Sequence, residues 1–206
     1  MAFAPDGTAF MDYMLFRAPS GPANLMVFAR DGTVRAQLPG SIGLWSSMGS
    51  ALYFTAPNYA TPYSTELDEL DSNGQRHTAS TSLKGYWWPT LAPDGAKIVY
   101  NAPDSSVPDC GGVPHLWSVD LQTGKTMQLT KAQSSTPVFV GPNVIWSNEE
   151  QLTQCGLGGP SQPDGVILAH DLTTGIDSHV DLSFYRDLAG APPQYITSAW
   201  ILDTKL

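Results

Sequence analysis

A recurring turn signature limits the folds open to this chain more than any other feature. Ala-Pro-Asp-Gly occurs at 4–7 and again at 92–95, and a weaker copy lies at 47–50. A second series of turns keeps step with the first and ends in Gly32, Gly74, Gly124 and Gly175. Self-similarity at a spacing of about 40 to 50 residues is typical of stacked supersecondary units. The sequence therefore predicts a repeat architecture.

The runs between the turns have the composition of short strands. They are rich in aromatic and β-branched residues, and the clearest, at 116–121, alternates apolar with polar residues after its first pair. Gly and Pro interrupt each run before a second helical turn could form, which argues against a helical repeat. Four antiparallel strands per unit at this spacing are typical of a β-propeller blade. We predict one all-β domain with blades at 1–42, 43–85, 86–134 and 135–194 and the start of a further blade at 195–206.

The charge and hydropathy patterns exclude two classes of ligand. The net charge is −9, and the 10 Lys and Arg residues are scattered without a basic run. Phosphate neutralisation needs clustered cations, so we expect no nucleic-acid partner. No apolar window is long enough to span a bilayer, and we expect no membrane insertion. The first residues run straight into a repeat turn and lack the pattern of a signal peptide.

One part of the chain resembles a known repeat. Residues 89–100 read Pro-Thr-Leu-Ala-Pro-Asp-Gly-Ala-Lys-Ile-Val-Tyr, followed by His-Leu-Trp-Ser-Val-Asp-Leu-Gln-Thr-Gly-Lys at 115–125 and Gln-Leu-Thr at 128–130. These segments resemble the TolB-type propeller repeat, with Ala92 where that family usually has Ser. The resemblance is close over 89–130, fair over 3–38 and 136–180, and poor over 43–80. It implies a blade and no particular activity, because such blades occur in periplasmic interaction proteins, cell-surface binding proteins and prolyl-oligopeptidase-type peptidases.

The two ends of the chain bear on the number of blades. Few residues precede the first turn, and 195–200 reads as the inner strand of a further blade. We favour a chain that forms part of a larger propeller. The alternative is that this last strand completes the first blade and closes a four-bladed ring. An open form would leave bare strand edges at both ends.

The variable loops predict where a site should lie. In a four-stranded meander, the loops between the second and third strands share a face with the crossings to the next blade. Length variation is concentrated there, and such loops often carry binding residues. Tyr86, Trp87 and Trp88 enter an inner strand from this face. Because neighbouring residues on a strand point to opposite sides, one indole is expected to face the channel and stack on a sugar ring or a peptide side chain. Packing between blades is the alternative and the more common role.

The two cysteines occupy equivalent positions in the loops of adjacent blades. We predict a disulfide between Cys110 and Cys155, which would stabilise the fold by about 4 kcal/mol in the chain-entropy picture. A disulfide implies an oxidising compartment, so we expect a periplasmic or extracellular protein. The alternative is two free thiols in a cytoplasmic protein. A zinc site is disfavoured because His115 is the only histidine close to the cysteines in sequence.

Several common catalytic patterns are absent from the sequence. It contains no Gly-x-Ser-x-Gly, no His-Glu-x-x-His and no phosphate-binding glycine loop. The aspartates Asp6, Asp31 and Asp94 are expected to form hydrogen bonds within their turns. The four histidines are dispersed, and we expect them at the surface or at blade edges. They are His77, His115, His170 and His179.

These observations favour a non-catalytic binding or scaffolding module. It would have no cofactor and no metal, and it would present its loop-rich face to a protein, a peptide or a glycan; the remaining blades of a longer chain are a further possible partner. The alternative is the substrate-gating propeller of a prolyl-oligopeptidase-type serine peptidase whose catalytic domain is not in this chain. A third hypothesis is a propeller lyase or glycosidase with its site on the axis. The fold alone does not decide among them.

Overall fold

The computed structural model describes residues 2–7, 9–14, 24–39, 43–46, 48–57, 65–83, 85, 87–103, 114–150 and 163–180. Every regular element within these ranges is a β-strand. The same ranges hold no helix with the length and apolar character that crossing a bilayer requires.

The strands form four sheets of four strands, and consecutive strands are neighbours in each sheet. Sheet I consists of β1 (Ala2–Phe3), β2 (Ala9–Met14), β3 (Asn24–Ala29) and β4 (Val34–Pro39). Sheet II consists of β5 (Gly43–Trp45), β6 (Leu52–Pro57), β7 (Thr65–Leu70) and β8 (Arg76–Leu83). Sheet III consists of β9 (Trp87–Leu91), β10 (Lys97–Pro103), β11 (Pro114–Asp120) and β12 (Thr126–Gln128). Sheet IV consists of β13 (Ser134–Phe139), β14 (Val144–Glu150), β15 (Pro163–Asp171) and β16 (Ile176–His179).

The turns predicted from the recurring glycines are present. The glycines of the second series, at 32, 74, 124 and 175, all have positive φ angles, between 68° and 85°. At the weaker copy, the Gly49 N–H donates to the Ser46 carbonyl at 2.9 Å, as expected for a turn. The Gly7 N–H makes the matching bond to Ala4, also at 2.9 Å. A positive φ angle costs glycine little, which explains its place in these turns.

The chain separates into two compact units. The first holds sheets I and II with one end of sheet III, as Met1–Tyr86, Asp94–Ile98 and Val119–Thr126. The second holds the rest of sheet III with sheet IV, as Trp87–Pro93, Val99–Ser118 and Met127–Leu206.

Each unit has its own apolar core, built from two neighbouring sheets. The first core contains Leu25, Val27, Leu38, Leu52, Phe54 and Leu70, with Ala36 and Trp45 packed against it. The second contains Val99, Leu116 and Ile145, with Leu129, Phe139 and Leu172 packed against it. A fully buried Leu or Phe side chain contributes about 2–3 kcal/mol, so these face-to-face contacts are the main stabilisation within each unit.

Candidate functional site

The two ends of each sheet differ in how the strands are connected. At one end, called the turn end, short turns join consecutive strands and are held by hydrogen bonds within each turn. At the other, the loop end, the second and third strands are joined through 15–23, 58–64, 104–113 and 151–162, which lie outside the described residues. The loop end of sheets III and IV, in the second unit, is the candidate site, because buried polar groups gather there.

One backbone carbonyl organises these polar groups. The Ala132 oxygen accepts hydrogen bonds from His115 Nδ1 at 3.1 Å, Thr130 Oγ1 at 3.1 Å and Ser134 Oγ at 3.3 Å. Thr130 Oγ1 also accepts from the Leu116 amide at 3.1 Å. Because a carbonyl oxygen only accepts, Nδ1 of His115 carries the proton. This group, the Ala132 cluster (His115, Thr130, Ala132 and Ser134), fixes the path of the chain from β12 into β13.

The positions of the histidines correct part of the sequence analysis. His115 and His170 are buried, with 8% and 2% of their surfaces exposed, so the expectation of surface or edge positions was wrong for both. Hydrogen bonds within the fold offset the cost of burying these imidazoles. His115 donates to the Ala132 carbonyl, and His170 Nδ1 pairs with the Asp177 carboxylate. His77 and His179 are exposed, as predicted.

A β-bulge interrupts the first strand of sheet IV. Ser135 pairs with Asn148 and Val138 with Trp146, so Thr136 and Pro137 together lie opposite Ser147. Thr136 has a φ angle of 53°, which is rare for a β-branched residue. The bulge was not predicted, although a proline inside a strand-like run is a signal for one.

Two buried polar atoms at the loop end of sheets III and IV have no hydrogen-bond partner among the described residues. They are Ser147 Oγ and Asn101 Oδ1. Ser147 lies two residues after Ile145 on β14, and Asn101 lies two residues after Val99 on β10. Ile145 and Val99 belong to the same core cluster, so Ser147 and Asn101 both lie on the loop side of that core.

The predicted aromatic site is only partly described. Trp87 and Trp88 are the first two residues of β9, so they enter sheet III at its loop end. β9 lies beside β13, which places these two positions on the strand next to the bulge. Tyr86 lies outside the described residues. Ligand binding by Tyr86, Trp87 and Trp88 stays a prediction.

The predicted disulfide also stays untested. Cys110 and Cys155 both lie outside the described residues. Within the described ranges, no three His, Cys, Asp or Glu side chains approach closely enough to hold a metal ion.

An ion pair in sheet II, between a buried carboxylate and a partly exposed guanidinium, was not predicted. The Asp68 carboxylate is fully buried, and the Arg76 guanidinium donates to its Oδ2 from Nε at 2.8 Å and from Nη2. The same guanidinium lies 5.5 Å from the centre of the Phe54 ring. Asp68 Oδ1 has no partner among the described residues. Since one cation offsets the burial of the carboxylate, this pair is a structural element of the first unit.

The turn aspartates are structural. Asp31 Oδ1 accepts from the Thr33 amide at 3.0 Å and Asp94 Oδ1 from the Ala96 amide at 2.9 Å, which confirms both predictions. Asp71, Asp120 and Asp171 accept amide bonds from their own turns in the same way. Hydrogen bonds to the ionised form lower the pKa of the carboxyl below its ordinary value of 3.8 in four of them, which are Asp31, Asp71, Asp120 and Asp171.

A small depression lies at the turn end of the first unit. Its lining includes Trp45, Arg35, Ala36, Leu70 and Asp71, and its volume is about 80 Å³. The depression lies at the end of the sheets opposite the variable loops, so it is not part of the candidate site.

Solved structures resemble the chain, whereas no protein-family model and no curated protein matches it. The structure of putative TolB from Agrobacterium tumefaciens superposes with a TM-score of 0.62 at 15% identity, over 86% of this chain and 62% of that one. An oligogalacturonate lyase in complex with manganese gives 0.59 at 16% identity, over 87% and 51%. The β-propeller domain of the Trilobed protease from Pyrococcus furiosus, with an open velcro topology, gives 0.60 at 11% identity, over 85% and 55%.

These likenesses define the class of fold. The chain is an all-β protein with the β-propeller fold, as its repeated turns predicted. It has four described blades of four strands each, and putative TolB is among the solved propellers whose fold it resembles. The chain spans between one half and two thirds of the length of the three structures that it resembles. That it forms part of a larger propeller stays a prediction.

Proposed function

We propose that the chain is a non-catalytic binding module that presents its loop end to a protein, peptide or glycan partner. The observation that carries this proposal is the contrast between the two ends of the sheets. In the described turns, backbone groups and aspartate side chains form hydrogen bonds within the turn itself. The loop end instead combines long connections with the buried Ala132 cluster. Long connections on a rigid scaffold are where recognition residues usually lie. The Ala132 cluster would hold such connections in register.

The proposed setting is periplasmic or extracellular. It is supported by the disulfide that the equivalent positions of Cys110 and Cys155 predict, and by the TolB-type resemblance. The absence of clustered cations in the sequence also makes nucleic acid an unsuitable partner.

Binding to arrays of peptides and of glycans tests this proposal. The informative variant is Trp88→Ala, at the loop end of sheet III. The matched control is Met127→Ala, at the turn end of the same sheet, where the methionine side chain is 61% exposed. We expect the Trp88 variant to lose at least about tenfold in affinity, equivalent to about 1.4 kcal/mol, at an unchanged Tm. An equal loss in the Met127 variant would contradict a site at the loop end. A large fall in the Tm of the Trp88 variant would identify the indole as packing.

A second candidate function is a gating propeller for a serine peptidase of the prolyl-oligopeptidase type. The observation that favours it is the likeness to the propeller domain of the Trilobed protease. In that case the adjoining coding sequence should contain a Gly-x-Ser-x-Gly nucleophile motif followed by Asp and His. Further blades without this motif would favour the binding module.

A further inference from the structure

The bulge in β13 has two features that a purely structural irregularity does not require. The first is the positive φ angle of Thr136. In bulges of this kind the residue with positive φ is usually glycine, and a β-branched residue there is strained. Such strain persists only where the surroundings impose it, and it concentrates at binding sites.

The second feature is the unpartnered hydroxyl opposite the bulge. Ser147 is fully buried, and its Oγ has no hydrogen-bond partner among the described residues. Pro137 has no N–H to donate across to β14. A buried hydroxyl without a partner is unfavourable, so an uncompensated group at this position needs an explanation.

The chemistry around the bulge selects a class of ligand. The residues of the bulge and those next to it carry short, uncharged groups, and a hydroxyl can both donate and accept. These residues are Ser134, Ser135, Thr136 and Ser147. A charged ligand, whether anionic or cationic, would need an opposite charge at the bulge itself, where the residues are neutral.

We propose that the Thr136–Pro137 bulge, with Ser147 opposite it, is a subsite for the hydroxyl groups of a neutral glycan. This inference rests on the proposed binding function and names the partner class. The bulge would orient a sugar hydroxyl towards the Thr136 and Ser147 hydroxyls. Trp87 and Trp88 are the first residues of the neighbouring strand β9, and this position on the strand agrees with the predicted stacking of an indole on a sugar ring.

Calorimetric titration of the whole chain tests the subsite with defined probes. The neutral probes are the hexasaccharides of cellulose, starch, xylan and laminarin. A galacturonate hexasaccharide serves as the anionic probe and a lysine hexapeptide as the cationic one. We expect a neutral probe to bind with an affinity that is unchanged between low and high salt, because no charge pair contributes. Binding of the anionic or the cationic probe alone, lost at high salt, would overturn the glycan inference and leave the binding module standing.

Three variants locate the contact. Thr136→Ala and Thr136→Gly both remove the hydroxyl, and each should weaken binding of the neutral probe by about three- to tenfold. The glycine variant should have the higher Tm of the two, because only glycine adopts this φ angle without strain. Ser147→Ala should weaken binding by a similar factor with no fall in Tm, since it removes an unpartnered group. Ser178→Ala, an exposed position on β16 of the same sheet, is the control and should change neither quantity.

The possible results separate the two proposals. Neutral glycan binding that is unaffected by the Thr136 and Ser147 variants would overturn the subsite and leave the binding function intact. A fall in the Tm of Ser147→Ala would show that the hydroxyl bonds within the fold, which would also overturn the subsite. If the chain bound none of the oligosaccharides and no member of the peptide and glycan arrays, both proposals would fail.

Discussion

Two glycines in equivalent turns provide a quantitative test of how sheet II packs against the adjoining turn of sheet III. Gly124 and Gly175 each end the turn between the third and fourth strands of a sheet. The Gly124 N–H donates to the backbone carbonyl of Asp120 at 2.8 Å, and the Gly175 N–H donates to that of Asp171 at 2.7 Å. The two φ angles are 68° and 69°. The surroundings differ. A Cβ atom built on Gly124 would lie 2.6 Å from the Ala79 carbonyl oxygen, whereas one built on Gly175 would meet nothing within 4 Å.

The cost of an alanine at each position follows from this geometry. Gly175→Ala introduces only the positive φ angle, which costs about 1 kcal/mol. Gly124→Ala adds a steric conflict with backbone that must move, which costs about a further 1–3 kcal/mol. The shift would also disturb the bond that Ser80 Oγ donates to the Gly124 carbonyl at 3.0 Å. We therefore expect Gly124→Ala to be less stable than Gly175→Ala by about 2 kcal/mol, or about 4–8 °C in Tm.

Urea unfolding of the two variants, followed by circular dichroism, measures this difference. The midpoint should fall further for Gly124→Ala while the m-value stays unchanged, since the surface exposed on unfolding is the same. Equal midpoints for the two variants would refute the close approach between this turn and β8. A smaller cost at Gly124 than at Gly175 would refute the reasoning altogether.

Three further predictions concern charge and covalent structure. Arg76→Met leaves the Asp68 carboxylate buried without a cation and should lower the free energy of unfolding in urea by about 3 kcal/mol. Adding Asp68→Leu should restore much of this stability. A double variant that is less stable than Arg76→Met would contradict this reasoning. The bonds from Thr123 lower the pKa of Asp120 below 3.8, so the ionised carboxyl stabilises the fold above that pH and the stabilisation is lost as the pH falls through the lowered pKa. The Tm of the wild type should therefore fall more steeply below about pH 4 than that of Asp120→Asn, and parallel curves would exclude the contribution. Peptide mapping without reductant should recover Cys110 linked to Cys155, whereas two alkylatable thiols would rule out the disulfide.

The sequence predicted the repeated framework well because each turn has a local cause. A glycine with a positive φ angle and an aspartate that accepts nearby amides can be read from a few residues, and the strands between them follow from their composition. β7 (Thr65–Leu70) and β9 (Trp87–Leu91) are two such strands, each inside its predicted blade. β14 (Val144–Glu150) and β15 (Pro163–Asp171) continue towards the loop end beyond their apolar runs, because pairing with a neighbouring strand prolongs them.

The candidate site was harder to predict because it depends on contacts between distant residues. Burial of His115 and the three hydrogen bonds to the Ala132 carbonyl require β11 and the crossing segment to meet. The register that places Ser147 opposite Thr136 is set by the whole of β13 and β14. Trp117 and Trp146 carry large aromatic side chains and are only half-buried, because the neighbouring sheet decides which face of a strand is covered.

Each sheet is formed by one continuous stretch of chain, and this affects how the protein folds during its synthesis. Pairing within a sheet joins segments close in sequence, so the loop-closure cost of forming it is low. A sheet can therefore assemble soon after its last strand leaves the ribosome, before the next one has been synthesised. Its apolar face then becomes the surface on which the following sheet condenses. The same independence lets gene duplication or loss add or remove a whole sheet while leaving the pairing inside the others unchanged.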